Sequence, residues 1–164
     1  MQDKRTVWIM NLKDNRGDGE NKNTDIKFNL CCTNHVLGIG WADDDYQSGK
    51  VTTRGFTRAK NCLDSIDVGD LVWVRNPVTK IYYICEVTND SPDLDWLKQH
   101  FADNDISQIE NCKIAKFHKF GFKEDLPDYL TYRNLISRET GRQVKNNQKL
   151  IDFTNDWFDK NVKK

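Results

Sequence analysis

The run Asp67-Val68-Gly69-Asp70-Leu71-Val72-Trp73-Val74-Arg75, separated by Asn76-Pro77-Val78-Thr79-Lys80 from Ile81-Tyr82-Tyr83-Ile84-Cys85-Glu86-Val87-Thr88, decides how the rest of the chain is read. β-Branched and aromatic residues fill both arms and a polar, Pro-containing loop divides them, so the stretch predicts a β-hairpin entered through a turn at 67–70. Alternation places Leu71, Trp73 and Arg75 on one face of the first arm and Val72 and Val74 on the other. In the second arm Tyr82, Ile84 and Glu86 oppose Ile81, Tyr83, Cys85 and Val87. Both faces are largely apolar. Such a hairpin belongs inside a barrel or in a sheet sandwiched by helices.

Working outward, Thr6 to Leu12 reads as a first strand, with Trp8 and Met10 on one face and Val7, Ile9 and Asn11 on the other. Lys13 to Asn23 is almost wholly Gly, Asn, Asp, Lys and Glu, a loop that suits a lid or rim. Asn23 or Thr24 can cap a helix that carries Ile26, Phe28, Leu30, Cys31 and Cys32 and stops near Asn34. The strand Val36 to Trp41 follows, and its two glycines let another backbone come close. A second helical pattern runs from Phe56 to Leu63. Beyond the hairpin, Leu94, Trp96, Leu97 and Phe101 fall on a loop or short helix, and Asn111 to Phe120 reads as a strand with a basic edge. After the Leu126-Pro127 break, helices are predicted from Tyr129 to Glu139, ending at Gly141, and from Gln148 to Val162. The expected fold class is α+β, a small β-barrel or strongly curved mixed sheet flanked by helices. Residues 1–164 are expected to form one domain, with 143–164 a C-terminal helical appendage.

Lys plus Arg and Asp plus Glu balance at 25 each, so no global field draws the chain to nucleic acid or an anionic membrane. Any polyanion contact has to come from a local patch. Five cysteines in unrelated contexts read as reduced thiols and buried small hydrophobes, and no stretch reaches membrane-spanning length. A soluble, cytoplasmic protein with no membrane partner is expected.

Gly38-Ile39-Gly40 lacks the third glycine and following helix of a dinucleotide loop, and no Gly-Lys-Ser/Thr motif occurs. His35, His100 and His118 are isolated, without metal-ligand spacing, so neither a metal nor a cofactor is expected. His35 lies near Cys31 and Cys32, but neither thiol has a glycine-rich elbow or an evident oxyanion donor. What the chain has at useful places is aromatic rings. Trp41 ends a strand just before the acidic run Asp43-Asp44-Asp45, where it is either a core ring at a strand end or the wall of a site. Trp96, between Leu94 and Leu97, either anchors its loop or joins that wall. Rings of this kind stack on a nucleobase for roughly 1–3 kcal/mol per contact.

The order of these parts resembles a family. The strand ending near Asn11, Gly38-Ile39-Gly40-Trp41, Val68-Gly-Asp-Leu-Val-Trp73, Tyr82-Tyr-Ile-Cys-Glu-Val87, Ser91-Pro92 to Trp96, Lys113-Ile-Ala-Lys-Phe117 and Asp125-Leu-Pro127 are similar to the PUA-like superfamily, most of all its EVE and YTH domains. Some bacterial relatives accompany modification-dependent restriction, that is, phage defence. The resemblance spans roughly Thr6 to Arg133 and implies a PUA-like barrel that extrudes a modified base of DNA or RNA into an aromatic cage. Carried over by position, Trp41 is one wall and Trp96 the second, while Asn11 and the backbone around Met10 and Leu12 read the base edge. Tyr83, Trp73 and Phe56 are further cage candidates that their faces equally permit to be core. Phosphate contacts would fall to the scattered Arg54, Arg58, Lys60, Arg75, Lys116 and Lys119, with His118 beside them, and the acidic run departs from a basic groove.

Two other functions compete with a non-enzymatic reader. One is a protein–protein interaction module on a PUA-like scaffold in phage–host conflict, which the neutral charge and acidic run favour; a separate effector protein is a further possible partner. The other is a nuclease or small amidohydrolase similar to the ASCH branch, for which Lys80 with Tyr82 or Tyr83 would be the candidate residues.

Overall fold

The computed structural model describes residues 4–12, 24–38, 53–89, 99, 112–136 and 141–163. Within it the hairpin forms as its residues dictate. Numbering strands in chain order, β3 (Leu71–Arg75) and β4 (Tyr82–Asn89) pair antiparallel, from Leu71 opposite Glu86 to Arg75 opposite Tyr82. Asn76 organises the connection: its side-chain oxygen accepts from Val78 N at 2.9 Å and Thr79 N at 3.1 Å. The loop then closes through Lys80 at φ 66°, a left-handed position.

Two strands extend the sheet on the β3 side. β1 (Val7–Met10) runs parallel to β3, and β6 (Gly141–Gln143) pairs antiparallel with β1. On the other side β5 (Cys112–Gly121) pairs with β4, and β2 (Val36–Gly38) with β5, both antiparallel. The order is β2-β5-β4-β3-β1-β6. This six-stranded mixed sheet curls into half a barrel and, with three helices among the described residues, makes an α+β fold. The helices are α1 (Thr24–Asn34), α2 (Thr53–Ser65) and α3 (Gln148–Asn161).

Each face of the sheet carries its own core, which is why the hairpin is apolar on both sides. Trp8, Met10, Val72, Val74, Cys85 and Val87 meet Phe28 and Cys31 of α1 and Ala59 and Leu63 of α2. Val7, Ile9, Leu71, Trp73, Tyr82 and Ile84 meet Leu126, Leu130 and Leu135 and the buried Leu150 and Phe158 of α3. The faces are those that strict alternation predicts.

Polar groups fix how these layers join. Asp70 Oδ2 accepts from Trp8 Nε1 and from Asp67 N, both at 2.9 Å, so one carboxylate closes the turn before β3 and ties it to β1. The buried Lys113 of β5 donates to the carbonyl of Ile66, just past α2, which places a cation where the helix dipole is negative. Asn147 caps α3 by accepting from Leu150 N at 3.1 Å. Asn155 of α3 accepts from Arg5 N at 3.0 Å and returns a hydrogen bond to Arg5 O at 3.2 Å. The C-terminal helix is thereby bound to the strand that opens the sheet.

The structure corrects two expectations. Within 129–136 no α-helix forms; a single 3-10 turn at Tyr132–Leu135 follows a turn closed by Leu130 N on Pro127 O. The buried apolar residues there, Leu130 and Leu135, stand five apart, a spacing that serves two turns rather than one helical face. Gly141 does not end a helix but begins β6. A Cβ at this position would lie 2.8 Å from Cys62 Sγ and 3.0 Å from Ile9 O, so only glycine lets the edge strand settle against β1 and α2. The strand expected over Val36–Trp41 is described as far as Gly38, and positions 39–41 lie outside the described residues.

Candidate functional site

Trp41 and Trp96 lie outside the described residues, but the strands that lead to them do not. β2 ends at Gly38 opposite Cys112, and β4 ends at Asn89 opposite Ile114. Both strands therefore leave the sheet beside the start of β5, one on each flank. Neighbouring strands are about 4.8 Å apart, so the two departures are separated by roughly 10–12 Å. Trp41 is three residues beyond the first and Trp96 seven beyond the second.

Asn11 follows the other end of the hairpin from those two strand exits. It follows β1 next to the end of β3, whereas β4 exits beside the turn that precedes β3, where Val87 N donates to Asp70 O at 3.1 Å. The length of the hairpin, about 17 Å for five residues, separates Asn11 from the exit of β4. Asn11 and Met10 line a cavity of about 240 Å³ together with Trp73, a further cage candidate, and with Arg75, Tyr82 and Ile136. Leu12 is buried in the core between sheet and helices.

The lesser cage candidates are divided by the sheet. Trp73 is fully buried, its indole N–H donates to Thr154 Oγ1 at 2.9 Å, and its ring meets Phe120 edge-on at 5.0 Å. Tyr83 faces the opposite layer, 5.3 Å from the Phe28 ring and 6.3 Å from Phe117. Burial raises the Tyr83 hydroxyl above its ordinary pKa, with an added push from Cys32. Trp73 and Tyr83 do not share a space. Phe56 belongs to α2, its side chain outside the described residues.

The candidate phosphate contacts are dispersed in the same way. Arg54, Arg58 and Lys60 belong to α2, and Lys60 pairs with Asp64 at 3.4 Å. Lys116 and Lys119 are exposed on β5, Lys116 opposite Glu86. Arg75 is exposed at the end of β3, its guanidinium 5.9 Å from the centre of the Tyr82 ring. Burial raises the Tyr82 hydroxyl, and Arg75 opposes that rise. Lys80 curls back on its own loop, donating to Pro77 O at 2.7 Å. Among the described residues no three His, Cys, Asp or Glu side chains are grouped to hold a metal, and no helix is long and apolar enough to cross a membrane.

Sequence reasoning passes over several exposed rings that follow β5 in the chain. Phe122, Tyr129 and Tyr132 are 46%, 55% and 39% exposed, beside Ile136 at 46%, and Lys123 Nζ stands 5.2 Å over the Tyr132 ring. The signal was present as aromatics next to Lys123 and Arg133, but assigning a helix to 129–139 hid it. No protein-family model matches the chain, and no curated protein matches it significantly. Among solved structures the chain is similar to the YTH domain of the Zygosaccharomyces rouxii MRB1 protein in complex with N6-methyladenosine RNA. The TM-score is 0.43 at 10% identity, over 92% of this chain and 87% of that one.

Proposed function

We propose that this chain is a non-enzymatic nucleic-acid reader that holds a flipped, modified base between Trp41 and Trp96. The supporting observation is the register that brings the ends of β2 and β4 to the two flanks of the start of β5. The reading needs the two indoles on the two faces of a flat heterocycle, and the three and seven residues of chain beyond those flanks are long enough to bring them there. Extruding a base costs a few kcal/mol, least for a single strand, and two stacked faces offset it. Asn11, which follows β1 and lines a cavity with Met10 and Trp73, is the side chain this reading assigns to the base edge.

The test is equilibrium binding of single-stranded oligonucleotides with and without a modified base, N6-methyladenosine RNA and 5-methylcytosine DNA among them. The wild type should prefer one modified oligonucleotide, and Trp41→Ala and Trp96→Ala should each remove that preference while the melting temperature holds. Equal affinity for every modified and unmodified pair sinks the proposal.

A protein-binding module is the second reading, favoured by the exposed Phe122, Tyr129 and Ile136. It predicts capture of a protein that Trp41→Ala leaves unchanged and that Tyr129→Ser weakens.

A further inference from the structure

Between the 3-10 turn at Tyr132–Leu135, β6 and the start of α3 lies a shallow cleft of about 460 Å³. Arg133, Arg142 and Lys145 line it together with Asn134, Gln143 and Asn146, and no carboxylate lines it among the described residues. In a chain whose formal charges cancel, three cations facing one space without an acid are a local segregation of charge.

Part of the donor set in this cleft is held in place. Arg142 donates through Nε to Ile136 O at 3.1 Å and through Nη2 to Asn134 O at 3.0 Å, so its guanidinium is fixed before any ligand arrives. Asn134 commits its side-chain oxygen to Thr131 N at 2.9 Å, and Asn147, at the end of the cleft, commits its own to Leu150 N at 3.1 Å. What each amide has left to offer is an NH2 donor. The first turn of α3 carries no acidic residue. Cations, amide donors and the positive end of a helix together select an anion.

We infer that this cleft is a track for the phosphodiester backbone of a single nucleic-acid strand. The cations come from a turn, a strand and a loop, three separate segments around one open cleft, which suits successive phosphates better than one small anion. Tyr132, beside Arg133, is partly exposed with Lys123 over its ring, and Tyr129 is exposed nearby in sequence, giving bases a place to stack as the backbone passes. An acidic peptide would use the cations and leave the rings without a role. The inference rests on the proposed reader for the identity of the polymer and not for the cage.

The experiment is a salt series of oligonucleotide binding with the full chain, using unmodified and modified single strands. Arg133→Ala/Lys145→Ala is compared with wild type, Trp41→Ala and, as a control at the far end of α3, Lys160→Ala. Arg142 is left intact because it holds the turn. Each phosphate contact on a single strand contributes about −0.7 to the slope of log K against log salt, so the double variant should flatten that slope by about 1.4. It should weaken modified and unmodified strands by the same factor. Trp41→Ala should keep the slope and lose the preference, and Lys160→Ala should change neither. An unchanged slope in the double variant, with the Trp41 effect intact, overturns the track and leaves the reader standing. A flattened slope without any preference for modification supports the track and removes the cage. Failure of wild type to bind any strand overturns both.

Discussion

The indole N–H of Trp73 in β3 donates to Thr154 Oγ1 of α3 at 2.9 Å, and the same hydroxyl donates to Leu150 O at 2.7 Å. A fully buried ring is thus satisfied by a helix eighty-one residues away, and the pair fastens the centre of the sheet to its C-terminal cover. Thr154→Val keeps the shape and strands the indole N–H, so it should cost about 1–3 kcal/mol. Trp73→Ala should cost about 3–5 kcal/mol through the cavity it opens. Urea unfolding of both variants measures this. Thr154→Val should leave binding of any oligonucleotide unchanged, because the Trp73 ring it serves is fully buried.

The hairpin loop offers a second check. Asn76 accepts two backbone N–H groups, and Lys80 sits at φ 66° with its amine turned back on Pro77. Asn76→Ala should destabilise by about 1–2 kcal/mol, the cost of leaving backbone donors without their acceptor. Lys80→Gly relieves a left-handed side chain, worth about 1–2 kcal/mol, against the greater freedom glycine gains on unfolding, so a net stabilisation of about 0.5 kcal/mol is expected. Were Lys80 a catalytic group, the same substitution would abolish turnover; here thermal melting should rise and nothing else change.

How far the sequence carries depends on which residues decide an element. The hairpin, the first strand, the strand at 112–121 and the helices at 53–65 and 148–161 are legible because alternation or helical spacing is strong in each, whereas the helix at 24–34, with Ile26, Phe28 and Leu30 two apart, is legible from its capping residue and not from its spacing. Alternation even assigned Trp8 and Met10 to one core and Val7 and Ile9 to the other, as the packing has it. β6 was not legible. Gly-Arg-Gln has no strand propensity, and it pairs because Gly141 can approach Ile9 O and Cys62 closely, a tertiary fact. The helix read at 129–139 failed for a related reason: Leu130 and Leu135 bury from two turns held by Pro127 and Asn134. Residue types pointed to Trp41, Trp96 and Asn11 together, but only the register shows that β2 and β4 exit at one end of the hairpin while Asn11 stands at the other. Single-residue patterns do not encode that separation.

The thiols should report burial directly. Desolvation pushes Cys112 up to about 12, with a contribution from Cys31, and holds Cys85 well above an ordinary thiol. Only the thiolate attacks an alkylating reagent, so at pH 8 the native protein should leave Cys85 and Cys112 unmodified while denatured chain labels at all five cysteines. Peptide mapping after a brief iodoacetamide pulse reads this. Rapid native labelling at Cys85 would mean that β4 opens far more often than its pairing on both edges implies.

His118 makes the fold sensitive to acid. Its Nε2 is buried without a hydrogen-bond partner, and its ring stands edge-on to Phe158 of α3 at 5.8 Å. Burial lowers its pKa; Glu86 partly restores it and Lys116 lowers it further. A histidine whose folded pKa is depressed binds fewer protons than the unfolded chain, so stability is fully present above the unfolded value, about 6.5, and falls as pH drops toward the folded value. Below the folded pKa this contribution levels off. Urea midpoints of wild type should therefore decline between pH 7 and 5, and His118→Gln, which cannot take up the proton, should flatten the decline. If both proteins lose stability in parallel over that range, the acid sensitivity belongs to the carboxylates, and the proton on His118 does not weigh on the packing of α3 against β5.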